Sequence, residues 1–154
     1  MSKDYSEILY KVLEESLEHL AFMFAEAVDI SEISMSDSES VKVEMNFTGD
    51  LYNGSLMMIL PQNISSELAA NILGIDDTSE DAMDLGEDSL KEVLNVICGR
   101  VLTEISGEEA LFDLSIPTLK TISSNDLGKY VDDKNICCAM IDDMYPIIMK
   151  FEKT

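Results

Sequence analysis

Residues 90–107 have the pattern of one long amphipathic helix, and this pattern constrains the fold more than any other part of the chain. At 100° per residue the apolar side chains fall on one arc, which consists of Leu90, Val93, Leu94, Ile97, Val101 and Ile105. The roughly opposite side carries Glu92, Asn95 and Gly99. Spacings of three, four and seven residues make these three positions neighbours on a helix surface. The sequence therefore predicts a helix with an apolar face and an exposed ridge that holds a carboxylate, an amide and a glycine without a side chain.

Gly99 is the least expected residue on that ridge. A glycine in an exposed helix interior costs about 1 kcal/mol relative to alanine. Its presence predicts that another molecule approaches this face closely. The alternative is an ordinary solvated helix face, since a Glu-x-x-Asn spacing arises easily by chance in a chain this rich in glutamate.

The first half of the chain has patterns of both helix and strand. Residues 5–28 predict a long first helix with a wide apolar face. Alternation over 41–47 and the apolar run 56–60 predict a hairpin of two strands. A shorter helix over 65–73 ends at Gly74, which is typical of a glycine C-cap.

The second half begins with an acidic stretch, residues 76–88, which we interpret as a solvated linker. Asp88 is the predicted N-cap of the helix that follows. A loop over residues 125–133 and a turn at Asp142 and Asp143 separate three further predicted strands, residues 116–122, 136–141 and 145–151. This order of elements predicts a single domain over residues 1–154, of the α+β class, with a mostly antiparallel sheet packed with long helices.

The charge of the chain restricts its partners. With 31 acidic and 10 basic residues the net charge is −21, which argues against binding nucleic acid or anionic lipid. A partner is instead expected to present lysine or arginine, unless the acidic surface serves solubility alone. No apolar run approaches the ~20 residues of a membrane span, and the Met1-Ser-Lys-Asp start lacks a signal-peptide pattern. We therefore expect a cytoplasmic protein that binds neither membranes nor nucleic acid.

The chain offers few residues for metal or nucleophilic chemistry. It has three cysteines and one histidine, His19, and no HExxH motif, zinc-binding spacing or Ser-His-Asp set. Phosphate-binding glycine loops and the GxSxG turn are also missing, and the acidic stretch does not follow the ligand order of an EF-hand. We expect no metal site and no cofactor of its own.

The segment Glu92-Val-Leu-Asn95-Val-Ile-Cys-Gly99 resembles the signature helix of the CheC/CheX family of chemotaxis phosphatases, and more closely that of its CheX branch. The first helix, with Leu17-Glu-His-Leu-Ala-Phe-Met-Phe24, and the later paired strands also fit, so the resemblance covers most of the chain. CheC-like members carry two Glu/Asn motifs, whereas here the first helix pairs Glu18 with Ala21. The resemblance therefore implies a CheX/CheC-like fold with one active face per chain.

The resemblance also implies a function and a partner. Members of the family hydrolyse the aspartyl phosphate of the response regulator CheY, whose receiver domain supplies Mg²⁺ and a lysine. Glu92 and Asn95 would be the catalytic residues: Asn95 would orient the attacking water, and Glu92 would pair with the lysine. Gly99 would leave room for the partner's backbone, and the chain would form a homodimer. Two alternatives remain, a receiver-binding module without catalysis and an acidic dimeric secretion chaperone.

Overall fold

The computed structural model describes residues 4–33, 39–76, 79–123 and 135–154. The predicted loop over 125–133 lies outside these residues. The described residues form three α-helices, one 3₁₀ turn (Ile30–Glu32) and seven strands. Their order is α1 (Ser6–Ala21), β1 (Ala25–Ala27), β2 (Ser40–Gly49), β3 (Asn53–Pro61), α2 (Ile64–Leu73), α3 (Glu80–Ser106), β4 (Phe112–Leu114), β5 (Thr118–Ile122), β6 (Ile136–Ile141) and β7 (Tyr145–Lys153).

The strands form one seven-stranded antiparallel sheet. Its order is β1-β6-β7-β3-β2-β4, and β5 pairs with β2 beside β4. The two predicted hairpins are present as β2–β3 and β6–β7. Asp142 and Asp143 both have φ near +55°, as the two central residues of a type I′ turn do, and the Met144 amide closes this turn by donating to the Ile141 carbonyl at 3.0 Å. The α+β class with a mostly antiparallel sheet is therefore confirmed.

The main core lies between the helices and one face of the sheet. Alternate residues of β2, such as Val43 and Phe47, pack there with Leu13 of α1 and Ile97 of α3. The other face of the sheet has a smaller buried cluster around Ile59. Adjacent residues of a strand point to opposite faces, so Cys137 belongs to the main core and Cys138 to the smaller cluster. Within the described ranges, no helix is long and apolar enough to cross a membrane.

The first helix is shorter than predicted. It ends at Ala21 rather than continuing to residue 28, and residues 25–27 form the edge strand β1. Phe22 adopts the left-handed conformation with φ of 53°, and its amide donates to the Glu18 carbonyl at 3.2 Å. Glycine or asparagine normally occupies such a position, so the sequence contains no ordinary signal that the helix stops.

The third helix is longer than predicted. The interpretation of residues 76–88 as a linker is wrong from residue 80 onward, where α3 begins. Ser79, not Asp88, is the N-cap: its hydroxyl accepts from the Ala82 amide at 3.1 Å. Glu80 and Asp81 lie in the first turn, where the helix dipole favours negative charge.

Candidate functional site

Helix α3 is held in place by contacts with α1, which leave the Glu92 ridge free. The Arg100 guanidinium pairs with the Glu15 carboxylate and also donates to the hydroxyl of buried Ser16 at 2.9 Å. One turn further, Lys11 and Glu104 form an exposed ion pair at 3.3 Å. The partly buried Arg100 cluster therefore fixes the rotation of α3 against its neighbour.

The structure brings the predicted site residues to one side of α3. Glu92 is exposed, and Asn95, one turn later, is partly exposed. Neither side chain makes a hydrogen bond or an ion pair with any residue in the described parts of the chain. Residues at i and i+3 have Cβ atoms about 5–6 Å apart, so the carboxylate and the amide can contact one partner together.

Gly99 has free space above it. A Cβ built at this position would meet no other atom within 4 Å, apart from the helix's own backbone and immediate neighbours. Packing within the chain therefore does not require a glycine here. Its place on the ridge instead preserves a flat surface one turn beyond Asn95.

Glu92 and Asn95 line a groove of about 330 Å³ between α3 and the strand region that follows it. The α3 wall also includes Asp88 and Lys91. The opposite wall is formed by residues Leu114, Ser115, Ile116 and Pro117, which we call the 114–117 wall. Leu114 also borders a neighbouring shallow pocket that Gly99 lines, so the groove continues along the ridge.

The 114–117 wall is tied to strand β2. The Ser115 amide donates to the Asn46 carbonyl and the Asn46 amide donates to the Ser115 hydroxyl, both at 2.9 Å. Phe112, two residues earlier, packs edge-on against buried Phe47 with ring centroids 5.8 Å apart. These contacts tie the 114–117 wall, most of which is the connection between β4 and β5, to the neighbouring strand β2.

The groove was not found by sequence reasoning. The pattern of residues 116–122 predicted a strand, and Pro117 does lie at its start, directly before β5. The pattern does not predict which strand pairs with β5, because β5 pairs with β2, a distant part of the chain. Two apolar residues flanking Ser115 were the only local signal of an exposed wall.

The chemistry available in the groove is that of a carboxylate and an amide. Glu92 can accept hydrogen bonds or pair with a cation, and Asn95 can both donate and accept. The thiol of Cys98 lies on the opposite, buried side of α3, where burial raises its pKa to about 12. In the part of the chain that the structure describes, no group of three or more His, Cys, Asp or Glu side chains could hold a metal ion.

Helix α1 does not repeat this arrangement. Glu18 is exposed, but Ala21 is fully buried. The Ala21 carbonyl accepts a hydrogen bond from the Asn71 side-chain amide of α2 at 2.8 Å. Residues at the corresponding spacing on α1 therefore offer a carboxylate alone.

The fold is that of chemotaxis proteins of known structure. A CheX from Desulfovibrio desulfuricans is 16% identical with a TM-score of 0.65, and covers 96% of this chain and 98% of its own. A CheX from Vibrio vulnificus is 14% identical with a TM-score of 0.66, and 97% of each chain is covered. The CheX–CheY–BeF₃–Mg²⁺ complex from Borrelia burgdorferi matches at 18% identity and a TM-score of 0.63, again with 97% of each chain covered.

A match to a protein-family model shows which family the chain belongs to. The model described as chemotaxis phosphatase CheX matches residues 41–140, well over half of the chain and including the whole Glu92 ridge. The chain belongs to the CheX family. No curated protein matches it.

Proposed function

We propose that this chain is a phosphatase that hydrolyses the aspartyl phosphate of a CheY-like receiver domain in chemotaxis or related two-component signalling. The observation that carries the proposal is the pair Glu92 and Asn95, one turn apart on an exposed ridge and without a partner among the described residues. Membership of the CheX family supports it, and so does a structural neighbour that is a complex of CheX with CheY.

The reaction does not require the protein to form a covalent intermediate. An acyl phosphate is already reactive, and in-line attack by water requires a positioned nucleophile and neutralised charge. In our proposal the receiver supplies the Mg²⁺ and a lysine, and the chain needs no cofactor of its own. Asn95 reaches the phosphoryl group and orients the attacking water through its amide donor and acceptor.

Glu92 acts in binding and alignment. Its carboxylate pairs with the receiver's lysine in a charge-assisted hydrogen bond. Because it lies on the same ridge as Asn95, this pair sets the angle at which the amide enters the receiver. Gly99 lets the receiver's backbone approach the ridge, which agrees with the free space above it.

A receiver-binding module without catalysis uses the same surface and is the second candidate. The two differ in one measurement, since such a module binds the receiver without releasing phosphate. Membership of the CheX family favours both over a secretion chaperone. We further propose that the chain acts as a homodimer and in the cytoplasm, where it shares a compartment with the receiver.

The test is the rate of phosphate loss from purified CheY-like receivers of the source organism. Wild-type chain should accelerate this loss for at least one receiver. Asn95→Ala should lower kcat by roughly 10² or more while receiver binding stays within a few-fold, the pattern of an interaction made only in the transition state. Normal hydrolysis by Asn95→Ala would refute the mechanism, and binding without phosphate loss by the wild type would establish the second candidate.

A further inference from the structure

The groove beside Glu92 has one apolar wall that the proposed chemistry does not use. Ile116 is 86% exposed and Leu114 is 38% exposed. Single exposed apolar residues are common on protein surfaces. Here, however, Leu114, Ile116 and Pro117 lie together and line the same groove as Glu92 and Asn95.

The 114–117 wall is held in its exposed position before any partner binds. Ser115 exchanges two hydrogen bonds with the backbone of Asn46, and the ring of Pro117 fixes its own φ. Binding to a surface that is already ordered loses less conformational entropy than binding to a flexible loop. The wall therefore has the properties of a preformed contact surface.

The charges in the groove indicate what binds there. The α3 wall places the carboxylates of Asp88 and Glu92 beside one ammonium group, that of Lys91. These carboxylates repel an acidic surface and attract a basic one. A surface that presents a lysine next to an aliphatic side chain complements both walls at once.

We propose that the 114–117 wall is a docking surface for the CheY-like receiver, and that it takes an aliphatic side chain adjacent to the receiver's active-site lysine. This inference rests on the proposed function, because that function supplies the lysine. In this arrangement Glu92 pairs with the receiver's lysine, while Leu114 and Ile116 contact the aliphatic side chain beside that lysine. The wall thus adds an apolar contact beside the charged one, and the homodimer uses another surface of the chain.

The experiment compares Ile116→Ser with Met144→Ser. Met144 is also an exposed apolar residue, at 65%. It lies in the β6–β7 turn, in a part of the sheet that β3 separates from β2. Each change removes an exposed apolar side chain without adding charge, so neither is expected to alter folding, and thermal denaturation checks this. The probe is the CheY-like receiver that the wild type dephosphorylates, loaded with Mg²⁺ and BeF₃⁻ for binding and phosphorylated with acetyl phosphate for turnover.

The expected result for Ile116→Ser is a rise in Kd and KM of about fivefold or more, as for a contact near the centre of an interface. Its kcat should fall much less, whereas Met144→Ser should match the wild type in all three constants. Wild-type constants for Ile116→Ser would overturn the docking surface and leave the phosphatase proposal standing. Conversion of a dimer to a monomer by Ile116→Ser would assign the wall to a second copy and also overturn it. If no receiver binds the wild type or loses phosphate to it, the proposed function fails first.

Discussion

Replacing Gly99 by alanine should make the folded chain more stable and, if the proposed function is right, weaken its action on the receiver. The added Cβ would meet nothing within 4 Å, so the substitution removes backbone freedom from the unfolded state without creating a clash. Alanine is favoured over glycine in a helix interior by about 1 kcal/mol. For a chain of this size, that gain corresponds to a rise in Tm of about 2–4 °C.

Gly86, in the same helix, provides the matched control. It is buried, and a Cβ there would lie 3.0 Å from the Ser65 side chain and 3.1 Å from its backbone carbon. Helix α2 would have to shift, so Gly86→Ala should destabilise the fold by about 1–3 kcal/mol despite its better helix propensity. The same substitution at two positions of one helix is thus expected to change the free energy of unfolding in opposite directions. Urea or thermal denaturation of both variants measures this difference.

The functional effect of Gly99→Ala depends on the partner. If the receiver's backbone approaches the ridge as proposed, the new methyl group overlaps it at a cost of about 1–3 kcal/mol. Since 1.4 kcal/mol corresponds to a factor of ten, KM should rise about tenfold or more in a phosphate-release assay. A variant that is more stable and fully active would refute the close approach. A variant that is less stable would refute the reasoning from free space.

Four further outcomes follow from the same structure. Glu92→Lys should abolish receiver binding, measured by titration, because like charges meet at the interface. The association rate in stopped-flow should fall as salt rises, since counterions screen the attraction of a −21 chain; a rate independent of salt would contradict the electrostatic argument. Sedimentation should give about twice the 17.1 kDa chain mass, and a monomer at tens of micromolar would count against the homodimer. Burial raises the pKa of Cys98 and of Cys137 to about 12, whereas an unfolded thiol titrates near 8.5. These thiols therefore contribute stability that is full below about pH 8.5 and is lost as pH rises toward 12. Urea denaturation should give a lower free energy of unfolding at pH 10 than at pH 7.

The start of α3 shows why the acidic stretch was misinterpreted. Buried positions in its first turns are Ala82, Gly86 and Ser89, spaced by four and three residues as on a helix face. These small side chains let α2 approach closely, but they contribute almost nothing to a hydrophobic pattern. Further along, large residues such as Ile97 and Val101 occupy the same kind of face, and there the helix was predicted correctly.

The Glu92 ridge, which the sequence predicts, depends on neighbours within one helix. The 114–117 wall, which it does not predict, depends on contacts between residues far apart in the sequence. Glu92 and Asn95 share a surface because of helical periodicity, which can be counted in a single sequence. The 114–117 wall faces them only because β4 and β5 pair with β2, some 70 residues earlier in the chain. Similarly, α1 ends at Ala21 because Phe22 turns left-handed, a conformation that phenylalanine rarely adopts. Local patterns thus predict which residues share a face of a helix, but not which segment packs opposite that face.

The contrast between α1 and α3 explains why we propose one active face per chain. In α3, the residue three positions after the glutamate is partly exposed, and the helix continues about three turns beyond it to Ser106. In α1, the equivalent residue is Ala21, which is fully buried and is the last residue of the helix. An amide placed there would have to displace core atoms, and no helix surface would follow it against which a receiver could lie. Among the helices that the structure describes, only α3 therefore combines an accessible carboxylate, an accessible amide and a continuous, flat ridge beyond them.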